Sequence, residues 1–435
     1  MRHTALRVTA VIAGVALALG LAGCSGGGTS SSGELQVSGD SYDGPAVELQ
    51  FWNPFTGPDG AHFQTMVDDF NKKNPKVKVT MTSMAAADLY SKLPVAVKSG
   101  NGPDVAVIHL SHVPTVAAGG TLLALDNVTK SLGFKQTDFA PAVWQGGIYK
   151  GTRYSIPLDM HMLGLFYNKT VLAKAGLDPN APPQTAQEYT DALSALHKAG
   201  IQGQWIDSYG FMRTYFVSLL HQFGGDEFND AGDKALWNSD AGVKALTWLQ
   251  DLIKNGDSPK NVGADQYWTA FKNNETAFVW GGIWALGDAD LAKIDWGVAP
   301  LPTIGDQAAT WSDSHQFVAT SQVSGDKNKT AAAAYFISQI SANSLEWAKA
   351  NMVPARESVR DSADFKAIPK IAAFASEVPA VVLPDAFPGL DDANNVLVEE
   401  MNKVLLLQKD PKAALDDAVK QADVILADNK AKYGY

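Results

Sequence analysis

Tyr154-Ser155-Ile156-Pro157-Leu158-Asp159-Met160-His161-Met162-Leu163-Gly164-Leu165-Phe166-Tyr167-Asn168-Lys169 is the stretch on which the reading of the fold turns. Tyr154, Ile156 and Leu158 alternate as in a half-buried strand, and Leu163 to Tyr167 make an apolar run that fits a second, more buried one. Between them stand Asp159 and His161, two groups able to hydrogen-bond a ligand, held between two stiff elements. One reading has the chain crossing here from one lobe to another, with the polar centre facing the cleft between them. The other is an ordinary hairpin with a solvated tip, and these residues alone leave both open.

Upstream, residues 47–51 (V-E-L-Q-F) alternate as a strand, and Trp52-Asn53-Pro54-Phe55-Thr56-Gly57 turns out of it. Phe63, Met66, Val67 and Phe70 then mark the buried face of a helix that Asn74-Pro75 stops. Residues 77–80 alternate again. Leu89, Leu93, Ala96 and Val97 mark a second helix, ended at 99–103, and 105–108 is a third strand. Strand, helix, strand, helix, strand is the order of a parallel α/β sheet. Ligands of such sheets bind beyond the carboxyl ends of the strands. Those ends carry Asn53 and Phe55 after the first strand, and His109, Ser111 and His112 after the third.

Downstream, a more helical region runs to about Thr310. Thr185 and Glu188 have the spacing of a capping box, with Tyr189, Leu193 and Leu196 along one helix face. Further helices are predicted at 209–223 and 240–254, and strands at 276–280 and 296–299. The first of these strands leads into Gly281-Gly282-Ile283-Trp284. A returning strand is predicted at 316–320 with an Ala-rich helix after Asn328. From Asp391 the chain is again helical, with Asp410-Pro411 as an N-cap and first-turn pair.

The chain has 435 residues, 46% of them hydrophobic, enough for two or three domains. A formal charge of −11 leaves no basic surplus to neutralise phosphates, which argues against nucleic acid as a partner. Neither a P-loop nor a dinucleotide glycine fingerprint is present. At the N-terminus Arg2 and Arg7 precede an apolar run at 8–22, shorter than a membrane span. The run ends in Leu21-Ala22-Gly23-Cys24, which resembles the lipobox of bacterial lipoproteins, where the cysteine becomes the lipid-modified first residue. Processing there would leave 33 basic and 46 acidic side chains, or −13. Cys24 is the one cysteine, so no internal disulfide is expected. Residues 25–45 are Gly/Ser-rich and are expected to form a flexible tether with a reach of roughly 25 Å.

Several further stretches carry a resemblance. They include Phe51-Trp52 followed by Phe70-Asn71-Lys72-Lys73-Asn74-Pro75, then Lys98-Ser99-Gly100-Asn101-Gly102-Pro103-Asp104-Val105. Ile156-Pro157-Leu158-Asp159 with Leu163-Gly164-Leu165-Phe166-Tyr167-Asn168-Lys169 is the most telling. Gly224-Gly225-Asp226, Gly282-Ile283-Trp284-Ala285, Gly297-Val298-Ala299-Pro300-Leu301-Pro302 and Val353-Pro354-Ala355-Arg356 follow in order. The chain resembles the family 1 extracellular solute-binding proteins, the group that includes the maltose-binding protein and other sugar receptors of ABC importers. The resemblance runs through nearly the whole chain after Cys24.

It implies a two-lobe α/β fold of the periplasmic-binding-protein kind, with hinge crossings and a ligand cleft between the lobes. One lobe would take 46–156 plus about 315–353, and the other 157–314 plus about 354–435, with a return crossing near His315. It further implies a monomeric receptor, anchored by lipid to the outer face of the bacterial cell membrane. Such a receptor captures a carbohydrate and delivers it to an ABC permease, with no cofactor and no turnover.

A sugar offers hydroxyls and flatter apolar faces, which suit polar side chains and planar aromatics respectively. Trp284 stands where the family usually has a sugar-stacking aromatic, directly after a strand and after Gly282, which allows close approach. Trp311 precedes Ser312-Asp313-Ser314-His315 at the expected return crossing. The candidate sugar-binding set is Asn53, Phe55, His112, Asp159, His161, Arg213, Gly282, Trp284, Trp311 and His315. Trp248 and Trp347, on helices, are expected in packing. The maltose receptor has an aromatic after its third strand where this chain has Ile108 and His109, which argues against carrying over a maltodextrin preference. Two other classes stay open. His109, His112, His161 and His315 converging would make a metal receptor. Asp159 with Asp313 as a carboxylate pair would make a secreted glycosidase.

Overall fold

The structure, a computed structural model, describes residues 41–435. The leader, Cys24 and residues 25–40 of the expected tether lie outside the described residues. Within 41–45 the chain already packs. Tyr42 is buried against the core, and its hydroxyl donates to the Pro45 carbonyl at 2.8 Å. One aromatic ring supplies the apolar surface that the surrounding glycines and serines lack.

β1 (Val47–Asn53), α1 (Pro58–Lys73), β2 (Val77–Ser83), α2 (Ala86–Lys98) and β3 (Val105–His109) follow in the expected order. β1 lies between β2 and β3 and is parallel to both. α1 starts with Pro58 in its first turn, buries Phe63, Met66, Val67 and Phe70, and ends with Lys72 and Lys73 near its negative pole. Asp104, just ahead of β3, is fully buried. Its carboxylate accepts from the Gln50 backbone N–H (2.8 Å) and from Lys329 Nζ (3.0 Å), tying β1 and β3 to a later helix.

β4 (Ile156–Pro157) and β5 (Asp159–Asn168) correct the reading of the opening stretch. No hairpin forms. β5 runs unbroken through Asp159 and His161 to Asn168, and all ten of its residues are buried. Its even positions Met160, Met162 and Phe166 enter one core cluster, and its odd positions Leu163, Leu165 and Tyr167 enter another. A strand covered on both faces reads as a nearly continuous apolar run. Gly164 lets the Phe374 ring approach, since a Cβ there would lie 2.8 Å from it.

The remaining principal elements are α3 (Ala186–Lys198), β6 (Gln202–Gln204), α4 (Met212–Gln222), α5 (Asp240–Lys254), β7 (Thr276–Gly282), β8 (Trp296–Ala299), β9 (Thr310–Asp313), β10 (His315–Ala319), α6 (Lys327–Ala342), β11 (Val353–Pro354), β12 (Val381–Val382), α7 (Leu390–Leu405) and α8 (Pro411–Tyr433). The capping box at Thr185 and Glu188 starts α3, and Asp410 caps α8 by accepting from Ala413 N–H at 3.1 Å.

One five-stranded sheet has the order β2-β1-β3-β10-β4. The other runs β12-β9-β5-β7-β6, with β8 and β11 also pairing along β5. The chain passes from the first sheet to the second at Leu158 and back at Ser314. The two crossings lie side by side: Leu158 N–H donates to the His315 carbonyl (2.8 Å), and Ser314 Oγ donates to the Asp159 carbonyl (2.5 Å). Pairing slips by one residue between them, with Asp313 opposite His161 on one side and Gln316 opposite Pro157 on the other.

Candidate functional site

A cavity of about 300 Å³ opens where the ends of both sheets meet. The turn after β1 supplies Phe55 and Asp59, β3 ends in His109, and β10 begins with His315. From the second sheet come His161 on β5, Trp311 on β9, and Trp284 just after β7. Among the described residues no Lys or Arg lines it.

Beneath this wall lies Asp159, fully buried. Its Oδ2 accepts from His315 Nδ1 (2.8 Å) and Trp347 Nε1 (2.6 Å). Its Oδ1 accepts from the His315 backbone N–H (3.0 Å) and lies 3.4 Å from His161 Nδ1. Burial alone would raise the Asp159 carboxyl, but the His315 charge and the bonds from both imidazoles outweigh it and hold the group well below the usual carboxylate range. Burial would lower the His315 imidazole; the Asp159 carboxylate overrides that, aided by Asp59 and Asp313, and the net shift is upward. Edge-on contact with Phe55 (4.8 Å between ring centres) fixes the far side of the His315 ring.

His109 is held differently. Its Nδ1 hydrogen-bonds the Tyr90 hydroxyl, which also accepts the His109 backbone N–H at 3.0 Å. Burial, then the neighbouring His315, His161 and His112 rings, push its pKa well down, keeping it neutral. Ring centres are 4.4 Å apart for His161–His315, 4.9 Å for His109–His315 and 5.3 Å for His109–His161.

Trp284 is half-buried, edge-on to His161 at 5.9 Å and to Trp311 at 6.5 Å. Gly282 is what lets the indole fold back over β7: a Cβ there would lie 2.1 Å from the ring. Trp311 forms a wall shared with a second cavity of about 130 Å³ that holds Arg213, Glu227, Asp385 and Asp391.

The expected set is therefore divided. Phe55, His161, Trp284, Trp311 and His315 share the first cavity, with Gly282 behind Trp284. Asp159 and Asn53 were expected on the wall and lie beneath it. Asn53 is fully buried, its Oδ1 accepting from Phe55 N–H (3.0 Å) and Ser83 Oγ (2.9 Å), and so it shapes the turn after β1. Arg213 is in the second cavity, paired with Glu227 at 2.5 Å. His112 stacks on Tyr90 (3.5 Å, 10°) and meets Asp391 of α7 at 2.8 Å, outside the three-histidine group. Trp347 is core, while Trp248 stacks on Trp280.

Two ionisable wall residues are absent from the expected sugar-binding set. His109 is placed by the sequence at the ligand end of its strand and in the possible metal cluster, but not in the sugar-binding set. Asp59 accepts from Gly57 and Gly60 N–H (3.0 and 2.9 Å) and faces the cavity from the first turn of α1. The Pro58-Asp59 pair after the turn was its signal, since a helix start beyond a strand end faces the ligand side of such sheets. For the glycosidase alternative, Asp313 has one oxygen on Ser314 N–H (2.7 Å) and the other on Ser111 Oγ (2.8 Å), so both members of the supposed pair are committed to protein donors.

Comparison with known proteins agrees with this architecture. The profile of the bacterial extracellular solute-binding proteins matches residues 65–373. Among curated relatives, the sn-glycerol-3-phosphate-binding periplasmic protein UgpB of Pectobacterium atrosepticum is 27% identical over 273 residues, covering 59% of this chain. The Escherichia coli K12 protein of that name is 26% identical over 270 residues, covering 58% of this chain. The match spans 60% of each relative's own length. Among solved structures, the cyclic α-maltosyl-1,6-maltose binding protein of Arthrobacter globiformis aligns with a TM-score of 0.76 at 27% identity, over 88% of this chain and 100% of that one. UgpB of Mycobacterium tuberculosis in complex with glycerophosphocholine aligns at 0.78 and 20% identity, over 88% and 99%, which speaks to the fold alone. With two sheets joined by paired crossings, a cleft walled from both, and a profile match over most of its length, the chain belongs to the bacterial extracellular solute-binding protein family.

Proposed function

We propose that this protein captures a small carbohydrate in the cleft and delivers it, as a monomer, to an ABC importer without chemical change. The lobes would be 46–156 with about 315–353, and 157–314 with about 354–435. Trp284 carries the reading: a half-buried indole faces imidazoles from both sheets across a cavity at the small end of ligand sites, sized for one or two sugar rings. Among the described residues no Lys or Arg lines that wall, which favours a neutral polyol over a phosphate. A solute touching both sheets would shift an open–closed equilibrium toward the closed form. Lipidation at Cys24 would keep the receptor at the outer face of the cell membrane. Fractionation tests this: a Cys24→Ser variant is expected in the soluble fraction, and a variant as firmly membrane-bound as the parent rejects the anchor.

The experiment is a melting-shift panel of mono- and disaccharides, with glycerol 3-phosphate included because relatives carry that name, followed by titration of the best solute into Trp284→Ala. Loss of a stacked, buried indole is expected to cost roughly 2–4 kcal/mol, about thirty-fold to several-hundred-fold in affinity. The apo melting temperature should change little. Parental affinity with a large drop in melting temperature would make Trp284 a packing residue and defeat the assignment.

A further inference from the structure

The floor of the cleft holds three histidines whose side chains are arranged alike. In each, Nδ1 is engaged from behind: His315 and His161 by the Asp159 carboxylate, His109 by the Tyr90 hydroxyl. Among the described residues none of the three Nε2 atoms has a hydrogen-bond partner, and all three rings line the cavity. One nitrogen from each ring lies within 4.8 Å of the others. Fixing one ring nitrogen with a carboxylate or hydroxyl orients the other as a ligand, which is how histidines in metal sites are usually supported.

We propose that His109, His161 and His315 bind one divalent transition-metal cation of the zinc class, leaving a fourth position open to the cleft. Three imidazoles with an open position make a familiar zinc donor set. The surroundings favour a cation: the Asp159 carboxyl group lies beneath the rings in contact with two of them, Asp59 shares the wall, and among the described residues no Lys or Arg lines it.

The ligands also span the cleft. His109 and His315 sit opposite one another on β3 and β10 of the first sheet, and His161 comes from β5 of the second. Tetrahedral coordination at about 2.0–2.1 Å sets the nitrogens about 3.4 Å apart, a spacing inside the 4.8 Å within which these three already lie. A bound ion would therefore link the two sheets directly, whatever solute occupies the open position. The proposal does not depend on the carbohydrate reading.

The test uses the full chain without a polyhistidine tag, stripped by chelator, with no sugar present. Titration with zinc chloride is expected to show one equivalent bound at micromolar affinity or tighter. Cobalt should give the intense visible bands of four-coordinate Co²⁺. His109→Gln and His161→Gln should each weaken zinc by about a hundred-fold or more, while His221→Gln, in a surface pair with Asp226, should change it less than about three-fold. Melting temperatures of the apo variants establish that they are folded, and either one suffices. Absence of stoichiometric uptake by the wild type, or uptake that survives both cleft substitutions, would overturn the proposal while leaving sugar binding to be judged by its own panel.

Discussion

Glu377 shows how one residue can record its surroundings. Its Oε1 accepts from Leu301 N–H at 2.6 Å, while Oε2 is buried with no donor among the described residues. Burial pushes its pKa well above the ordinary glutamate value, against the lowering effect of that one bond. The folded state then holds a proton that the unfolded chain releases near pH 4.5, so this group's contribution is full below that pH and is lost as pH rises toward its folded value. Glu377→Gln keeps the shape without the titration. Between pH 5 and 8 the variant is expected to gain melting temperature relative to the wild type, increasingly with pH, and parallel curves would reject a protonated Glu377. The same scale governs what could be read of the site. That Trp284 and His161 line the cavity was legible because residue type and neighbouring glycines suffice to suggest it. That Asp159 supports the imidazoles from below was not legible, because a one-residue slip between crossing strands leaves no trace in composition.

At the level of elements, strands and helices with a one-sided pattern were readable and those without one were not. α1 and α5 could be placed because their buried residues recur with helical spacing, and β1 and β2 because they alternate. β5 was split into two strands and a polar centre because both of its faces are covered, so alternation between apolar and polar is replaced by alternation between two cores. α4 was expected to begin at residue 209 and begins at Met212. Asp207 accepts from the Tyr209 and Gly210 N–H groups and holds the preceding residues in a turn instead. β9 was not read as a strand at all; its four residues gain their pairing from β5 and β12, partners far away in sequence. Short strands owe their existence to such neighbours more than to local preference.

For the whole molecule, the paired crossings at Leu158 and Ser314 are the natural place for a hinge. Other contacts also join distant parts of the chain: Thr115 Oγ1 accepts from Gly389 N–H (2.9 Å), His112 meets Asp391 (2.8 Å), and Lys150 Nζ donates to the Tyr433 carbonyl (3.0 Å). Saturating solute is expected to reduce the radius of gyration in solution scattering, and an unchanged value with binding independently confirmed would exclude hinge closure. The crossings also have a consequence for the order of synthesis. β10 is the strand that covers the outer edge of β3, and it is made only after β5, β6, β7, β8 and β9 have been added. Until residues 315–319 emerge, the apolar segment Val105-Ala106-Val107-Ile108 can be paired with β1 alone, leaving a bare edge of the kind that recruits other chains. Long-range pairing of this sort also slows folding. A nascent chain therefore has no complete first sheet while most of its length is being made, and the fold can close only when the sequence returns.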